Sequence, residues 1–428
     1  MDDQPARSER RDFLRAAGAA LATGFPAIIS AQTVTNAIKV GLVGCGGRGT
    51  GAASQALKAD DYTELTAVAD IDRSQIEKSL ETLKKIQKTA DRVKVEQQRQ
   101  FLGLDAYKQV VDNVDVVLLA TPPGFRPVHL AACIDAGKHV FCEKPIATDA
   151  PGVRAVLDTS EKAKAKKLSL VAGFCWRYNS MIQDTFKQIE DGAMGKLVAY
   201  YATYYTSPVK PMPPASTRPA GMSDIEWQIR NWYNFVWLCG DSLVEQAVHS
   251  ADKIAWAMHD EPPVSCVGVG GRTIPAEGGN IYDHFEVNYI YPNGVRAFLA
   301  NRQIEGCYNE NSDYMLGVDG ACTIGRGPVP RIEGKNNWTW NGQKYDMYQR
   351  EHDVLFAAIR RNDPINDGKR MATSTLLAMM GRMAAYTGQQ ITWDQALNSN
   401  ERLVPDRIDW NGSHEVPPRA LPGITKFA

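Results

Sequence analysis

Two ionisable side chains, Glu143 and Lys144, stand together at the end of a short apolar run and directly before Pro145. Such a run is typical of a buried strand, and ligands of a doubly wound sheet bind beyond the carboxyl ends of its strands. An ammonium held there can polarise a hydroxyl or a carbonyl, and it can move a proton if burial or a cationic neighbour lowers its pKa. The alternative is a surface Glu–Lys pair before a proline turn.

A glycine-rich turn begins at Gly44, 100 residues before Lys144. It favours the interpretation of Glu143 and Lys144 as part of a ligand site over that of a surface pair. The turn follows the apolar run 38–43 and precedes a helix-compatible stretch, 50–59. In a turn of this spacing the first glycine permits the bend, the second lets a pyrophosphate approach the backbone, and the third allows close helix–strand packing. We therefore predict a dinucleotide site there, formed by Gly44, Gly46, Gly47, Arg48 and Gly49.

The choice of dinucleotide depends on the end of the second strand. The run 65–69 ends at Asp70, 21 residues after Gly49, where an acid accepts hydrogen bonds from the adenosine ribose. This position favours NAD as the cofactor. Arg73 can neutralise a 2′-phosphate, so NADP stays open, and Asp70 can also be read as a helix cap or turn residue.

The following strands end in residues that suit the rest of a dinucleotide. The buried run 114–120 leads into Thr121 and Pro122, and proline limits the conformations of a loop that can lie along a flat ring. His129 follows, and it reads equally well as a plain helix-start residue. Alternating strands and helices from 38 to 145 predict one parallel, doubly wound sheet.

The strand 168–174 ends before Arg177, which can pair with a phosphate, orient Glu143, or simply pair with a surface carboxylate. From residue 197 the pattern changes, and helices return at 349–361 and 368–387. Strands are predicted at 197–205, 264–271, 282–291, 295–303, 314–318 and 321–324, two of them joined by a strong hairpin signal at 291–294. The second half is therefore predicted to contain a mostly antiparallel sheet together with helices.

Aromatic residues cluster behind a proline-rich loop at 206–226. Trp232 and Tyr233 are the candidates for substrate binding, since aromatic faces suit the apolar C–H faces of sugars, and the loop could form a lid. Core packing of these aromatic residues is the alternative.

A second group of ionisable residues lies at 240–252. Glu245, His249 and Asp252 are spaced i, i+4 and i+7, which predicts one helical face. A histidine titrates near neutrality and can act as acid or base, and Glu245 can orient it. A lone helical histidine is often structural. The HExxH spacing is absent, and we predict no metal.

With the glycine turn, the Glu143–Lys144–Pro145 motif and the Glu245–His249 pair, residues 37–390 resemble the Gfo/Idh/MocA family, the relatives of glucose–fructose oxidoreductase and inositol dehydrogenase. The resemblance implies an α/β fold, with a Rossmann domain and a C-terminal α/β domain whose large open, mostly antiparallel sheet is used in homo-oligomers. It also implies hydride transfer between a sugar or polyol and a nicotinamide. It implies that Lys144 and His249 are catalytic, with Glu245 at the position where the family commonly has Asp. Cofactor contacts implied in this way are Thr121, Pro122, His129, Glu143, Lys144 and Arg177. With the two aromatic candidates added, the predicted substrate contacts are Lys144, Trp232, Tyr233, Glu245 and His249.

The length of 428 residues and 44% hydrophobic content describe an ordinary globular protein, and a net charge of −1 gives no sign of nucleic-acid binding. Predicted divisions are a leader (1–36), a Rossmann domain (37–147), a substrate and oligomerisation domain (148–400) and an arm (401–428). No later stretch suggests a membrane span. The eight cysteines form no CxxC pattern and are read as free and buried, with a disulfide left open.

Residues 8–14 resemble a twin-arginine export signal, although a disordered basic N-terminus and an uncleaved anchor are alternatives. Export of a folded protein to the periplasm predicts a tightly held cofactor that returns to its starting redox state in each cycle. Three functions follow: a sugar, polyol or glycoside oxidoreductase, an NAD-dependent glycoside hydrolase or lyase, and a non-catalytic carbohydrate-binding protein.

Overall fold

The computed structural model describes residues 36–274 and 277–428. The first 35 residues of the predicted leader lie outside the described part, so the export signal stays a prediction. Residues Ala37–Ala428 form one compact unit in which the two predicted domains pack together.

The first half of this unit contains a six-stranded parallel sheet, which confirms the predicted doubly wound fold. Its order is β3-β2-β1-β4-β5-β6, so the chain changes direction between β1 and β4 and leaves a crevice at their carboxyl ends. The sixth strand extends the sheet beyond residue 147, the predicted end of the domain. The strands are β1 (Ile38–Val43), β2 (Thr63–Asp70), β3 (Gln100–Leu102), β4 (Val116–Leu119), β5 (His139–Cys142) and β6 (Leu170–Ala172).

Helices connect these strands and cover the sheet. Small residues in the first helix, among them Ala52, Ala53 and Ala56, are buried and allow close approach to the strands. Asp72 caps the second helix by accepting a 2.9 Å hydrogen bond from the amide of Ser74. The helices are α1 (Gly47–Ala59), α2 (Arg73–Lys84), α3 (Ala106–Val111), α4 (Arg126–Asp135) and α5 (Ala150–Ala165).

The second half contains a nine-stranded sheet, entered through α6 (Ser180–Glu190) and ordered β14-β13-β12-β11-β7-β10-β9-β8-β15. The β7–β10 pair is parallel and the other neighbours are antiparallel. The sheet is therefore mostly antiparallel, as the sequence predicted. Its strands are β7 (Leu197–Thr206), β8 (Ser265–Gly271), β9 (His284–Ile290), β10 (Arg296–Gln303), β11 (Glu310–Gly317), β12 (Gly320–Ile324), β13 (Arg331–Gly334), β14 (Trp338–Thr339) and β15 (Ile391–Thr392).

Helices of the second half return to the first. One of them, α11, packs on α1 behind the glycine turn, and α12, which is buried along most of its length, packs between the second sheet and α5. The arm after residue 400 lies on its own chain, where Leu403 and Trp410 join the cluster around Trp237. These helices are α7 (Asp224–Arg230), α8 (Val236–Cys239), α9 (Ser242–Glu245), α10 (Val248–Ala257), α11 (Met347–Arg361), α12 (Gly368–Thr387) and α13 (Trp393–Asn398).

The cysteines agree with the sequence prediction. None of the eight is in a disulfide, and all except Cys307 are buried.

Candidate active site

A groove of about 470 Å³ lies at the carboxyl ends of β1, β2 and β4. Most of its wall comes from the parallel-sheet half, and part of it comes from the loop and helix that follow β7. Its lining consists of Val43, Gly44, Gly46, Ala69, Asp70, Ile71, Asp72, Gln75, Gly103, Leu104, Tyr107, Ala120, Thr121, Pro122, Phe125, His129, Lys210, Ile229, Arg230 and Trp232.

The glycine turn at one edge of this groove has the space that a dinucleotide needs. Gly44 has a φ of +95°, and a Cβ on Gly49 would lie 1.8 Å from the carbonyl oxygen of Gly44, so both positions require glycine for the turn itself. A Cβ on Gly46 or Gly47 would meet nothing within 4 Å. These two positions therefore leave open space where a pyrophosphate can approach the backbone amides at the start of α1. The turn fits the predicted cofactor.

Asp70 lines the groove at the end of β2 and is also tied to the turn. Its Oδ2 accepts from the amide of Cys45 at 2.7 Å, and its Oδ1 accepts from the amide of Asp72 at 3.0 Å. Burial raises the pKa of this carboxyl despite these hydrogen bonds. Because a carboxylate has about four acceptor positions, Asp70 can hold the turn and still accept from a ribose hydroxyl.

The loop after β4 is braced from behind by a histidine. Thr121 Oγ1 lies 3.2 Å from Nδ1 of His129, and the imidazole stacks on Tyr107 with ring centroids 4.1 Å apart. Burial and the nearby Arg126 lower the pKa of His129 to about 3, so the ring is neutral at physiological pH. Thr121, Pro122 and His129 thus all reach the groove, and His129 also positions Thr121.

Arg48 and Glu143, both predicted to contact the cofactor, pair with each other at 2.6 Å. The carboxylate of Glu143 also accepts from the amide of Lys144 at 3.2 Å. A third member, Glu351 on α11, is buried 3.8 Å from the guanidinium of Arg48 and was missed by sequence reasoning. A glutamate within an amphipathic helix is normally on the surface, so the sequence carried no signal for its burial.

Lys144 lies where β5 ends, and its ammonium contacts the second domain. Its Nζ donates to the backbone oxygen of Glu245 at 2.6 Å and lies 3.3 Å from the Glu245 side chain. Gln246 donates to the same carboxylate, and the hydroxyl of Tyr204 donates to Gln246 at 3.1 Å. Lys144 and Glu245 are nearly buried, with side-chain exposures of 11% and 5%. Two segments 101 residues apart in sequence therefore hold one ammonium in a defined position.

His249, four residues after Glu245, is buried, and its Nδ1 has no hydrogen-bond partner among the described residues. Burial lowers its pKa well below the ordinary value, and the charges of Lys144 and Lys253 lower it further. The ring is therefore neutral and able to accept a proton.

The predicted single helical face for Glu245, His249 and Asp252 is wrong, because the helix is interrupted. The short α9 ends at Glu245 and α10 begins at Val248. Asp241, with a φ of +84°, starts α9, and its buried carboxylate accepts from the amides of Ser242 and Tyr282 and from the hydroxyl of Tyr386. These bonds hold an uncommon backbone conformation at the start of the site segment.

Arg177, another predicted cofactor contact, is used elsewhere. Its Nε lies 3.0 Å from the carboxylate of Asp252, its Nη2 lies 2.6 Å from Asp260, and its guanidinium covers the ring of Trp256. The side chain is buried at 5% exposure. Arg177 and Asp252 thus belong to the packing of the second domain and not to the groove, because each supplies the charge that the other needs when buried.

One of the two predicted aromatic residues lies in the groove wall. Trp232 lines the groove and stacks on Tyr233 with ring centroids 3.8 Å apart. Burial and the charge of Glu245 raise the pKa of Tyr233. Lys210 and Arg230, which join Trp232 in the groove wall, were not predicted, although the proline-rich loop was the signal for this covering segment.

Within residues 36–274 and 277–428, no group of three or more His, Cys, Asp or Glu side chains is arranged to hold a metal ion. No helix in the same part of the chain combines the length and apolar character needed to cross a bilayer.

Comparison with known proteins agrees with this geometry. Residues 38–171 match the family model described as an oxidoreductase family with an NAD-binding Rossmann fold. Inositol 2-dehydrogenase of Rhizobium meliloti (strain 1021) is 26% identical over 200 residues, or 46% of this chain and 53% of that protein. A dTDP-3,4-didehydro-2,6-dideoxy-alpha-D-glucose 3-reductase of Actinomadura kijaniata is 27% identical over 41% of this chain and 48% of its own length. The chain thus spans about half the length of these curated relatives.

Among solved structures, a levoglucosan dehydrogenase in complex with NADH and levoglucosan matches with a TM-score of 0.66 and 16% identity, over 83% of this chain and 99% of that one. A 3-ketoreductase from Actinomadura kijaniata in complex with NADP matches with a TM-score of 0.63 and 18% identity, over 82% and 98%. At these identities the likeness shows a shared fold.

Proposed function

We propose that this chain, whose residues 38–171 match the NAD-binding domain of the Gfo/Idh/MocA oxidoreductase family, is an NAD(P)-dependent oxidoreductase that acts on a CH–OH group of a sugar, polyol or glycoside. The observation that carries the proposal is the ammonium of Lys144, held by Glu245 at the end of β5 and next to a neutral, buried His249. The named relatives act on inositols and sugars, which supports this substrate class.

The residues have separate roles in this proposal. The groove would hold the dinucleotide, whose nicotinamide supplies the hydride acceptor when bound. Lys144 stabilises negative charge on the substrate oxygen, and His249 accepts the hydroxyl proton because its ring is neutral. Glu245 orients the ammonium, while Trp232 and Tyr233 bind the apolar face of the substrate.

Substitution of Lys144 by Ala tests the assignment. We expect turnover of a responsive polyol or sugar to fall by about 10²–10⁴, the usual contribution of acid–base groups, while bound dinucleotide is retained. Lys94→Ala is the matched control, because Lys94 pairs with Glu64 on the surface, and it should leave both quantities unchanged. Full activity in Lys144→Ala would contradict the proposal, and ligand binding without turnover in the wild-type protein would favour a carbohydrate-binding role.

We also propose that the cofactor is held tightly. Lys210, Ile229, Arg230 and Trp232 cover part of the groove, and α7 is tied to the arm by a 2.6 Å bond from Gln228 to the carbonyl of His414. A covered groove favours a cofactor that is reset in place, which also suits the hydrolase or lyase alternative. Near-stoichiometric dinucleotide released from denatured protein, purified without added cofactor, would support retention. Solvent deuterium at C2 of the product would support transient oxidation and elimination.

Export and self-association complete the proposal. Residues 8–14 support transport through the twin-arginine pathway to the periplasm, which cell fractionation would test. Homo-oligomers are proposed to form through the second sheet, because Tyr201 and Val267 lie in one register row of a face where they are 36% and 40% exposed. A monomeric mass in light scattering would contradict this.

A further inference from the structure

The adenosine end of the groove receives a cation from the second domain. Arg230, the last residue of α7, lines the groove, and its Nη1 lies 2.5 Å from Oδ2 of Asp72. The same guanidinium donates through Nε to Glu226 at 2.8 Å. The backbone carbonyl oxygen of Arg230 accepts from Nζ of Lys210 at 2.5 Å. Asp72 lies two residues after Asp70, so this ion pair is beside the position where the ribose hydroxyls would bind.

Arg73, which the sequence suggested as the partner of a 2′-phosphate, does not line the groove. Arg73 is exposed on the first turn of α2, whereas Asp70, Asp72 and Gln75 line the groove. Two carboxylates therefore line the position proposed for the ribose, and the guanidinium that lines the same groove, that of Arg230, is paired with one of them. A 2′-phosphate would add nearly two negative charges close to Asp70 and Asp72, while the guanidinium of Arg230 in the groove wall is already paired with Asp72.

We propose that the Arg230–Asp72 ion pair determines the choice of dinucleotide. While Asp72 holds Arg230, the groove takes NAD; when the charge of Asp72 is removed, Arg230 becomes the partner of a 2′-phosphate. A guanidinium suits this role because its fixed set of N–H donors matches phosphate oxygens in a bidentate manner. The inference rests on the proposed dinucleotide function and adds a residue from outside the Rossmann domain to it.

The test is competitive occupancy by two defined probes. Full-length protein is first freed of any resident dinucleotide and then incubated with equal concentrations of NAD⁺ and NADP⁺. Unbound nucleotide is removed, the protein is denatured, and the released dinucleotides are quantified. Asp72→Asn removes the charge and keeps an acceptor for the amide of Ser74. We expect the bound NADP/NAD ratio to rise on the order of tenfold, as one charge-assisted contact is gained. Asp72→Ser also removes the charge, and serine is another favoured N-cap residue. This variant should give the same rise and replaces Asp72→Asn if that variant folds poorly.

Double variants separate the two arginines. The rise should disappear in Asp72→Asn/Arg230→Ala and persist in Asp72→Asn/Arg73→Ala. The proposal would be overturned if the NADP/NAD ratio rose in neither single variant. It would also be overturned if the rise persisted without Arg230 or disappeared without Arg73. Wild-type protein that binds neither dinucleotide would overturn the proposed function itself, whereas normal NAD occupancy with an unchanged ratio would overturn only this inference.

Discussion

The two sides of the candidate site are held by different kinds of interaction. On the Rossmann side, backbone groups do most of the positioning: the amide of Gly44 donates to Ala69, and Asp70 accepts from Cys45. On the second-domain side, buried charges pair across long stretches of chain, as in Glu245 with Lys144 at the site and Arg177 with Asp252 in the packing behind it. Backbone geometry tolerates change in most side chains, whereas a buried charge depends on one particular partner. The two sides should therefore respond differently to substitution.

The largest effect should come from His249, the proposed proton acceptor on the second-domain side. His249→Asn should lower turnover by about 10²–10⁴ without loss of bound dinucleotide. Because burial lowers the pKa of His249, the base stays neutral as the pH falls through 6.5, and wild-type kcat/KM should decline only at lower pH. A pH–rate profile checks this. An acid limb centred at or above 6.5 would show that the base is another group.

Breaking a buried ion pair should come next. Arg177→Met leaves Asp252 buried without its cation and should lower the free energy of unfolding by about 3–5 kcal/mol, measured by urea denaturation. The folded variant should bind dinucleotide normally, since Arg177 is engaged by Asp252 and Asp260. Weaker dinucleotide binding with unchanged stability would restore Arg177 as a cofactor contact.

Two glycines give a sharper comparison within the Rossmann side. Gly49→Ala places a methyl group against the carbonyl oxygen of Gly44 and should cost about 1–3 kcal/mol of stability or more, because backbone has to move. Gly46→Ala meets no atom within 4 Å, so its melting temperature should match the wild type while dinucleotide affinity falls. Unchanged dinucleotide affinity in Gly46→Ala would mean that the open space above Gly46 is not a phosphate site.

The smallest effect should come from His352, which is fully buried with no partner for either ring nitrogen among the described residues. Burial lowers its pKa, so the unfolded chain binds a proton below about pH 6.5 that the folded chain does not, and stability is lost as the pH falls. His352→Leu should flatten this acid decline and be close to neutral at pH 8. Melting temperatures between pH 5 and 8 measure it, and an unchanged slope would assign the decline to other groups.

Much of the architecture could be predicted because it is local in sequence. Runs of apolar residues ending at Gly44, Asp70 and Lys144 indicated the strands, and the chain direction at a strand end indicated which residues share the groove. Errors arose where a residue had more than one partner within reach. Arg177 follows a strand like the other site residues, yet its partners lie 75 and 83 residues further along the chain.

The sequence by itself determined the glycine turn, the acid at the end of β2 and the lysine at the end of β5, because spacing and strand direction constrain these positions whatever the rest of the chain does. Only the tertiary structure decided that Glu351 is buried beside Arg48, that Asp252 pairs with Arg177, and that Arg230 reaches the groove from 158 residues beyond Asp72. The physical reason is that burial and charge pairing depend on which distant segments pack together, and side-chain type alone does not specify the partner.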